Sequence, residues 1–185
     1  SLQSDIIRVA PDLTQEEHAA GLPIGTRGGV SIKYTFAQNG EYDIQFYLAR
    51  GYSGDIDGLR GTERHEIRLL LDRKPIGTTT VQRPAGGDDS LLDRNLKVRV
   101  RVTAGPHELA VTFLRNSSSL LETARQPLQA QFNERRHPRI TPAIQQVSIT
   151  GPYSATGPGD TPSRRRLIVC QPAAPSQEDA CARQI

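Results

Sequence analysis

The sequence contains no Trp and no Met, and aromatic residues make up only 5% of its 185 residues. Flat stacking on a crystalline polysaccharide needs wide, exposed aromatic rings. This composition therefore argues against that mode of binding. Long apolar runs are also missing, since no stretch approaches the roughly 20 residues that a membrane-spanning helix requires. We therefore expect no membrane span.

Cysteine is scarce: Cys170 and Cys181 are the only two, and neither belongs to a CxxC or CxxCH motif. We therefore expect neither a zinc ribbon nor an attached c-type haem in this segment. The two residues could form a disulfide in an oxidising compartment, or they could belong to a neighbouring domain.

Positive charge is present but not concentrated. The formal net charge is +3, from 23 basic and 20 acidic residues, and the one tight basic cluster is Arg164, Arg165 and Arg166. A nucleic-acid-binding surface normally shows a denser basic stripe with interleaved aromatic residues. We therefore expect no nucleic-acid partner.

The sequence is rich in alternation of apolar and polar residues, the pattern of a strand with one buried face. Over residues 96–115, one alternating run is followed by a Gly-Pro turn and a second such run. Residues 30–50 repeat this arrangement around Asn39 and Gly40, a strong two-residue turn signal. We interpret both regions as antiparallel hairpins and place the hairpin of residues 96–115 at the centre of a β-sandwich.

Further strands are predicted over residues 5–9, 63–71, 76–81 and 144–150. The total is about eight or nine strands at regular spacing, with almost no helix. Because each strand would have one buried face, two sheets must pack face to face. The predicted fold is all-β: an antiparallel two-sheet β-sandwich of jelly-roll type with an irregular C-terminal tail.

The composition changes after the last predicted strand, because Gly, Pro, Ser and Arg dominate from Ser154 onward. We therefore expect residues 1–153 to form the sandwich. Residues 154–185 are expected to form a linker and the start of a following helical domain. The sequence begins with Ser rather than Met, as expected of a segment of a longer protein.

Two loops carry acidic residues: Asp55 and Asp57 in one, and Asp88, Asp89 and Asp93 in the other. Clustered carboxylates and loop carbonyls supply the hard oxygen ligands that calcium requires, although the spacing is not that of an EF-hand. Our candidate metal ligands are Asp55, Asp57, Asp88 and Asp89. The alternative is that they are solvated turn residues, because Asp and Gly are common in turns.

A long connection over residues 120–142 mixes planar polar side chains with one aromatic ring. Such groups suit a sugar surface, through hydrogen bonds and contact with the ring. Our candidate carbohydrate-binding residues there are Arg125, Gln129, Phe132 and Asn133. The alternative is that the apolar residues of this connection only pin it to the sandwich.

Nothing in the sequence selects a catalytic group. A GxSxG nucleophile motif is missing, and no pair of carboxylates stands out as a glycosidase acid and base. The four His residues are scattered, and none has the spacing of a metal ligand pair. We therefore do not expect an enzyme.

Five stretches carry a resemblance to a known family: residues 22–29 (LPIGTRGG), 41–50 (EYDIQFYLAR), 97–114 (KVRVRVTAGPHELAVTFL), 118–144 (SSLLETARQPLQAQFNERRHPRITPAI) and 148–172 (SITGPYSATGPGDTPSRRRLIVCQP). Together they resemble the β-sandwich segment of planctomycete-type multidomain cytochrome c proteins. That segment is in turn similar to calcium-dependent, xylan-binding carbohydrate-binding modules, mainly in its strand pattern and in the AGPHELAVTF stretch.

The resemblance implies a non-catalytic carbohydrate-binding module that meets calcium and sugar hydroxyls at loops on one end or edge of the sandwich. The expected partners are a polysaccharide or oligosaccharide and the neighbouring domains of a parent chain. The expected location is secreted, periplasmic or cell-surface. The alternative is a structural sandwich that packs between domains and has no ligand of its own.

Overall fold

The structure is a computed structural model that describes residues 2–115, 139–168, 170 and 174–183. Its elements follow one another in the order β1 (Gln3–Arg8), β2 (Thr26–Phe36), β3 (Gly40–Leu48), β4 (His65–Leu71), β5 (Lys74–Val81), β6 (Lys97–Val102), β7 (Gly105–Leu114), β8 (Ile144–Tyr153), α1 (Pro162–Leu167) and α2 (Glu178–Ala182). Short 3-10 turns occur at Leu92–Asn95 and Pro175–Gln177.

The eight strands form two four-stranded antiparallel sheets. The first sheet has the order β1-β8-β3-β6, and the second has the order β2-β7-β4-β5. Successive strands mostly alternate between the sheets, which is the jelly-roll arrangement. The predicted all-β sandwich is therefore confirmed. Within the described part of the chain, no helix is long and apolar enough to cross a membrane.

Both predicted hairpins are wrong, although their strands are present. β2 pairs with β7 in the second sheet, whereas β3 pairs with β6 and β8 in the first sheet. The connections after β2 and after β6 therefore cross from one sheet to the other. Alternation shows which side of a strand is buried, but two such strands can bury those sides by facing each other as well as by lying side by side.

One true hairpin joins β4 to β5 through Asp72 and Arg73, whose φ angles are 49° and 67°. Positive φ at both central residues is the geometry that favours a two-residue hairpin turn. The Asp72 carboxylate accepts a hydrogen bond from Glu108 N at 3.0 Å and lies 2.7 Å from His107 Nδ1. These contacts join the hairpin turn to β7.

Apolar side chains from both sheets fill the space between them. The largest side chains buried there are Phe36, Ile44, Phe46, Leu48, Ile67, Leu69, Val81, Leu109, Val111, Phe113, Ile144 and Ile149. Each such side chain contributes about 1.5–3 kcal/mol when it leaves water. This core fixes the ends of the strands and therefore the positions of the loops that follow them.

Long and short connections lie at opposite ends of the sandwich, because the strands run alternately in opposite directions. The short turns at residues 37–39, 72–73 and 103–104 form what we call the turn end. The connections over residues 9–25, 49–64 and 82–96 form the loop end. Arg115 and Arg139, which flank the connection between β7 and β8, also lie at the loop end, where Arg115 N donates to Gly25 O.

The C-terminal tail leaves β8 at the turn end. Asn39 N donates to Gly157 O at 2.8 Å, and Thr156 N donates to Asn39 O at 3.0 Å. The tail contains α1, within the predicted linker, and α2 begins at Glu178. Cys170 and Cys181 form a disulfide, which is one of the two alternatives that the sequence left open.

Candidate functional site

A polar cleft opens at the loop end, between the connection after β3 and the connection after β5. Its volume is about 220 Å³, and its lining residues are Gly51, Ser53, Asp55, Ile56, Asp57, Gly58, Leu59, Arg60, Arg83 and Asp89. Loops on a rigid sandwich are common positions for binding residues. The cleft is therefore our candidate site.

The structure brings together three of the four predicted acidic ligands, because Asp55, Asp57 and Asp89 all line the cleft. Asp55 is exposed and accepts a hydrogen bond from Ser53 Oγ at 3.0 Å. Asp57 lies deeper, with Oδ2 at 3.8 Å from Arg139 Nε. Asp89 is only 3% exposed, and its Oδ2 accepts a hydrogen bond from Ile56 N at 3.0 Å. Asp89 therefore joins the two loops that form the cleft.

Asp88 lies outside this group. Its exposed carboxylate accepts a hydrogen bond from Ser90 N at 3.0 Å, within its own turn. Hydrogen bonds from Ser90 hold the pKa of Asp88 below its ordinary value. For this residue the arrangement is that of a turn acid that stabilises its own loop.

Arg50, which the sequence did not single out, holds the loops of the cleft together. Its guanidinium donates to Gly54 O at 2.7 Å, to Ser90 O at 3.2 Å and to Asp93 Oδ2 at 2.7 Å. Its Nη1 also lies 4.0 Å from Asp89 Oδ1. One guanidinium thus compensates two buried carboxylates and binds a carbonyl from each loop.

Three of the predicted calcium ligands lie in the cleft. Among the residues that the structure describes, no group of three or more His, Cys, Asp or Glu side chains is arranged to hold a metal ion. One atom does favour a cation: Asp89 Oδ1 is buried and has no hydrogen-bond partner. Among the three acidic residues that line the cleft, Asp89 is the most deeply buried.

Two further charged residues of the cleft, Arg60 and Arg83, were missed from the sequence. Both side chains are exposed, one on each loop. Within the described residues, neither guanidinium has a hydrogen bond or an ion pair. They could have been identified from the sequence because each lies in the same loop as predicted acidic residues.

The four predicted carbohydrate-binding residues, Arg125, Gln129, Phe132 and Asn133, lie outside the described residues. Their role stays a prediction.

At the loop end, Gln15 fixes the connection between β1 and β2 to the sandwich. Its Oε1 accepts hydrogen bonds from Gly29 N and Ile144 N, each at 2.9 Å, and its Nε2 donates to Ile144 O at 2.6 Å. Gln15 is only 3% exposed. Its side chain therefore satisfies backbone groups of β2 and β8 that would otherwise be buried without partners.

A buried arginine lies under the same connection. Arg27 donates to Gln15 O at 3.2 Å and to Pro142 O at 3.0 Å, and its guanidinium stacks 4.4 Å from the centre of the Phe113 ring. Burial lowers the pKa of Arg27 to about 10, which leaves it charged at neutral pH. Its Nη2 lies 3.4 Å from Nδ1 of His65. Burial first, and the nearby Arg27 charge second, lower the pKa of His65 to about 4.

A second hollow, of different character, lies on the outer face of the second sheet. It has a volume of about 420 Å³, and its apolar lining includes Leu22, Ile24, Leu70 and Ala110. Ile24 is 98% exposed, whereas Leu70 in the same hollow is only 3% exposed. This is an apolar surface suited to contact with another protein surface.

Comparisons with known proteins do not assign the chain to a family. No protein-family model matches it, and a search of curated proteins finds no match.

Proposed function

We propose that this domain is a non-catalytic carbohydrate-binding module that holds part of a sugar chain in the loop-end cleft. The observation that carries this proposal is the composition of the cleft. Two loops on a rigid sandwich present carboxylates, a hydroxyl and two guanidiniums toward one space. Sugars offer many hydroxyl groups that both donate and accept, and this mixture of acceptors and donors can match them.

The size of the cleft favours contact with a short stretch of a sugar chain. Sites for drug-sized ligands measure roughly 300–1,000 Å³, and the volume here is about 220 Å³. The proposed occupant is therefore one unit of an oligosaccharide or polysaccharide, with the rest of the chain extending past the mouth. The cleft lining contains no aromatic side chain, so hydrogen bonds rather than ring stacking would provide the contact.

Calcium is the second part of the proposal. An ion held by Asp89, Asp55 and Asp57 would add direct bonds to sugar hydroxyls. Arg50 already compensates part of the charge of Asp89 from inside the protein. Calcium would thus add ligand contacts to loops whose buried charges the protein already compensates in part.

Isothermal titration calorimetry with xylo-, gluco- and galacto-oligosaccharides, in calcium and in chelator, tests both parts. Heat with one member of the panel is expected, together with NMR shift changes in residues 51–60 and 83–89. Calcium dependence would appear as binding that chelator abolishes. Flat titrations in both buffers, across this panel and across acidic oligosaccharides as well, would remove the sugar proposal.

A matched pair of variants tests the location. Asp55→Ala removes an exposed cleft carboxylate, whereas Asp88→Ala removes an exposed carboxylate outside the cleft lining. We expect Asp55→Ala to weaken binding about fivefold, as for loss of one partly exposed polar contact. Asp88→Ala should bind like the parent protein. Equal effects of the two changes would place the sugar elsewhere.

The second candidate function is a structural sandwich that packs against neighbouring domains of a longer chain. The apolar hollow around Ile24 favours it, because burying that surface would stabilise an interface. Ile24→Asp should then weaken association of this domain with an adjoining domain. The Cys170–Cys181 disulfide supports our further proposal of a secreted, periplasmic or cell-surface location, since disulfides persist in oxidising compartments.

A further inference from the structure

The charged side chains of the cleft differ in whether the protein already compensates them. Asp89 accepts from Ile56 N and lies 4.0 Å from Arg50 Nη1. Asp57 lies 3.8 Å from Arg139 Nε. Arg50 and Arg139 therefore compensate the charges of the two deeper carboxylates from within the protein. The sequence pointed to these acidic residues but not to their arginine partners.

The mouth of the cleft has the opposite balance. Arg60 and Arg83 are exposed there, and neither has an ion pair or a hydrogen bond within the part of the chain that the structure describes. Asp55 is the one exposed carboxylate of the lining, and it accepts a hydrogen bond from Ser53. Two guanidiniums and one carboxylate leave an excess of positive charge where a ligand would enter.

We infer that the cleft selects acidic oligosaccharides, whose anionic group lies between Arg60 and Arg83. A guanidinium presents its donors in a planar fork that matches a carboxylate or a sulfate ester. The hydroxyl groups of the same sugar would face Asp55 and Ser53. This inference rests on the proposed sugar-binding function and adds the class of ligand to it.

The first test compares ligands that differ only in charge. Oligogalacturonate and its methyl ester share one sugar backbone, and only the unesterified form carries carboxylates. We expect the acidic form to bind about tenfold more tightly at low salt, and this advantage should shrink at 0.5 M salt because exposed charges are screened. Oligomers of glucuronate and mannuronate and a sulfated oligosaccharide complete the panel and identify the anionic group.

The second test removes the guanidiniums one at a time. Arg60→Gln and Arg83→Gln should each weaken binding of the acidic oligosaccharide about fivefold, with little effect on its neutral ester. Arg94→Gln is the matched control, because Arg94 is also exposed but does not line the cleft. Unchanged thermal midpoints would show that all three variants fold, as expected for exposed side chains.

The outcomes separate the inference from the proposed function. If no sugar binds, acidic or neutral, the sugar-binding function itself fails. If neutral sugars bind in the cleft as tightly as every acidic one, and the two arginine variants match Arg94→Gln, the function stands and the inference is overturned.

Discussion

Arg50 Nη2 donates to Asp93 Oδ2 at 2.7 Å, and this ion pair joins the chain leaving β3 to the turn that precedes β6. Asp93 is 5% exposed. Its other oxygen, Oδ1, accepts a hydrogen bond from Leu48 N at 3.3 Å. The cleft therefore depends on a charge pair that is itself part of the sandwich.

Replacing Arg50 tests this dependence. Arg50→Met would leave the buried carboxylates of Asp89 and Asp93 without their cation, and we expect a loss of about 2–3 kcal/mol in the free energy of unfolding. Urea denaturation measures the loss. Arg101→Met is the control, because Arg101 is 84% exposed and lies 3.8 Å from Glu41. Arg101→Met should lower the free energy of unfolding by less than about 0.5 kcal/mol. An equal decrease in both variants would contradict the prediction.

Two neighbouring ion pairs between β3 and β6 should differ in strength. Arg99 donates to both oxygens of Asp43, at 2.8 and 2.9 Å, and this pairing lowers the pKa of Asp43. Glu41 and Arg101 occupy the next same-face positions, with a single contact at 3.8 Å. Asp43→Ala should cost about 1–2 kcal/mol in the free energy of unfolding, and Glu41→Ala under about 0.5 kcal/mol.

The Asp43–Arg99 pair also predicts that the stability of the fold decreases in acid. Because the pKa of Asp43 is lower in the folded protein than its ordinary value of 3.8, its contribution is complete above pH 3.8. It is lost as the pH falls through the folded value. Denaturation of the parent protein and Asp43→Ala between pH 6 and pH 2 should give curves that converge in acid. Curves that stay parallel would show that the carboxylate charge does not matter.

Gln15 gives a prediction for the connection between β1 and β2. Gln15→Ala would leave the buried Gly29 N–H and the Ile144 N–H and C=O without the partners described above. We expect a loss of about 2–4 kcal/mol in the free energy of unfolding. Gln145→Ala removes an exposed glutamine on β8 and should change stability by less than about 0.5 kcal/mol. Hydrogen exchange at Gly29 should quicken in Gln15→Ala alone.

His65 predicts pH dependence between neutral and mildly acidic conditions. Its pKa falls from 6.5 to about 4 on folding, so the unfolded chain takes up a proton first as the pH drops below 6.5. The free energy of unfolding should therefore decrease by about 2–3 kcal/mol between pH 7 and pH 4, at about 1.4 kcal/mol per unit of pKa difference. His65→Gln cannot take up this proton, so its stability should fall less over the same range. If the free energy of unfolding of His65→Gln changed with pH as steeply as that of the parent protein, His65 would not be the cause of the pH dependence.

Much of the fold could be predicted because apolar and polar residues alternate so regularly. Ile44 and Phe46 of β3, and Val111 and Phe113 of β7, are buried as expected. The neighbours of each strand could not be predicted in this way. Alternation specifies the buried side of a strand, whereas pairing depends on how the two sheets share the core.

The site was predicted in part for a related reason. Asp55, Asp57 and Asp89 stood out as acidic residues in Gly-containing loops, and the structure places all three in one cleft. Arg50 gave no such signal, because its partner Asp93 is 43 residues away in the chain. The sequence also cannot show which charges are compensated from inside. That distinction separates Asp89, which lies beside Arg50, from Arg60, which is exposed and has no partner among the residues that the structure describes.

The direction of the strands has a consequence for how the domain would be attached. β1 begins beside the end of β8, where Gln3 is paired with Gly151, and both lie at the turn end. A tether fixed to either position would leave the mouth of the cleft pointing away from the anchoring surface. Immobilised through this end, the domain would present the loops of the cleft outward, which is the orientation that the proposed binding of a large polysaccharide requires.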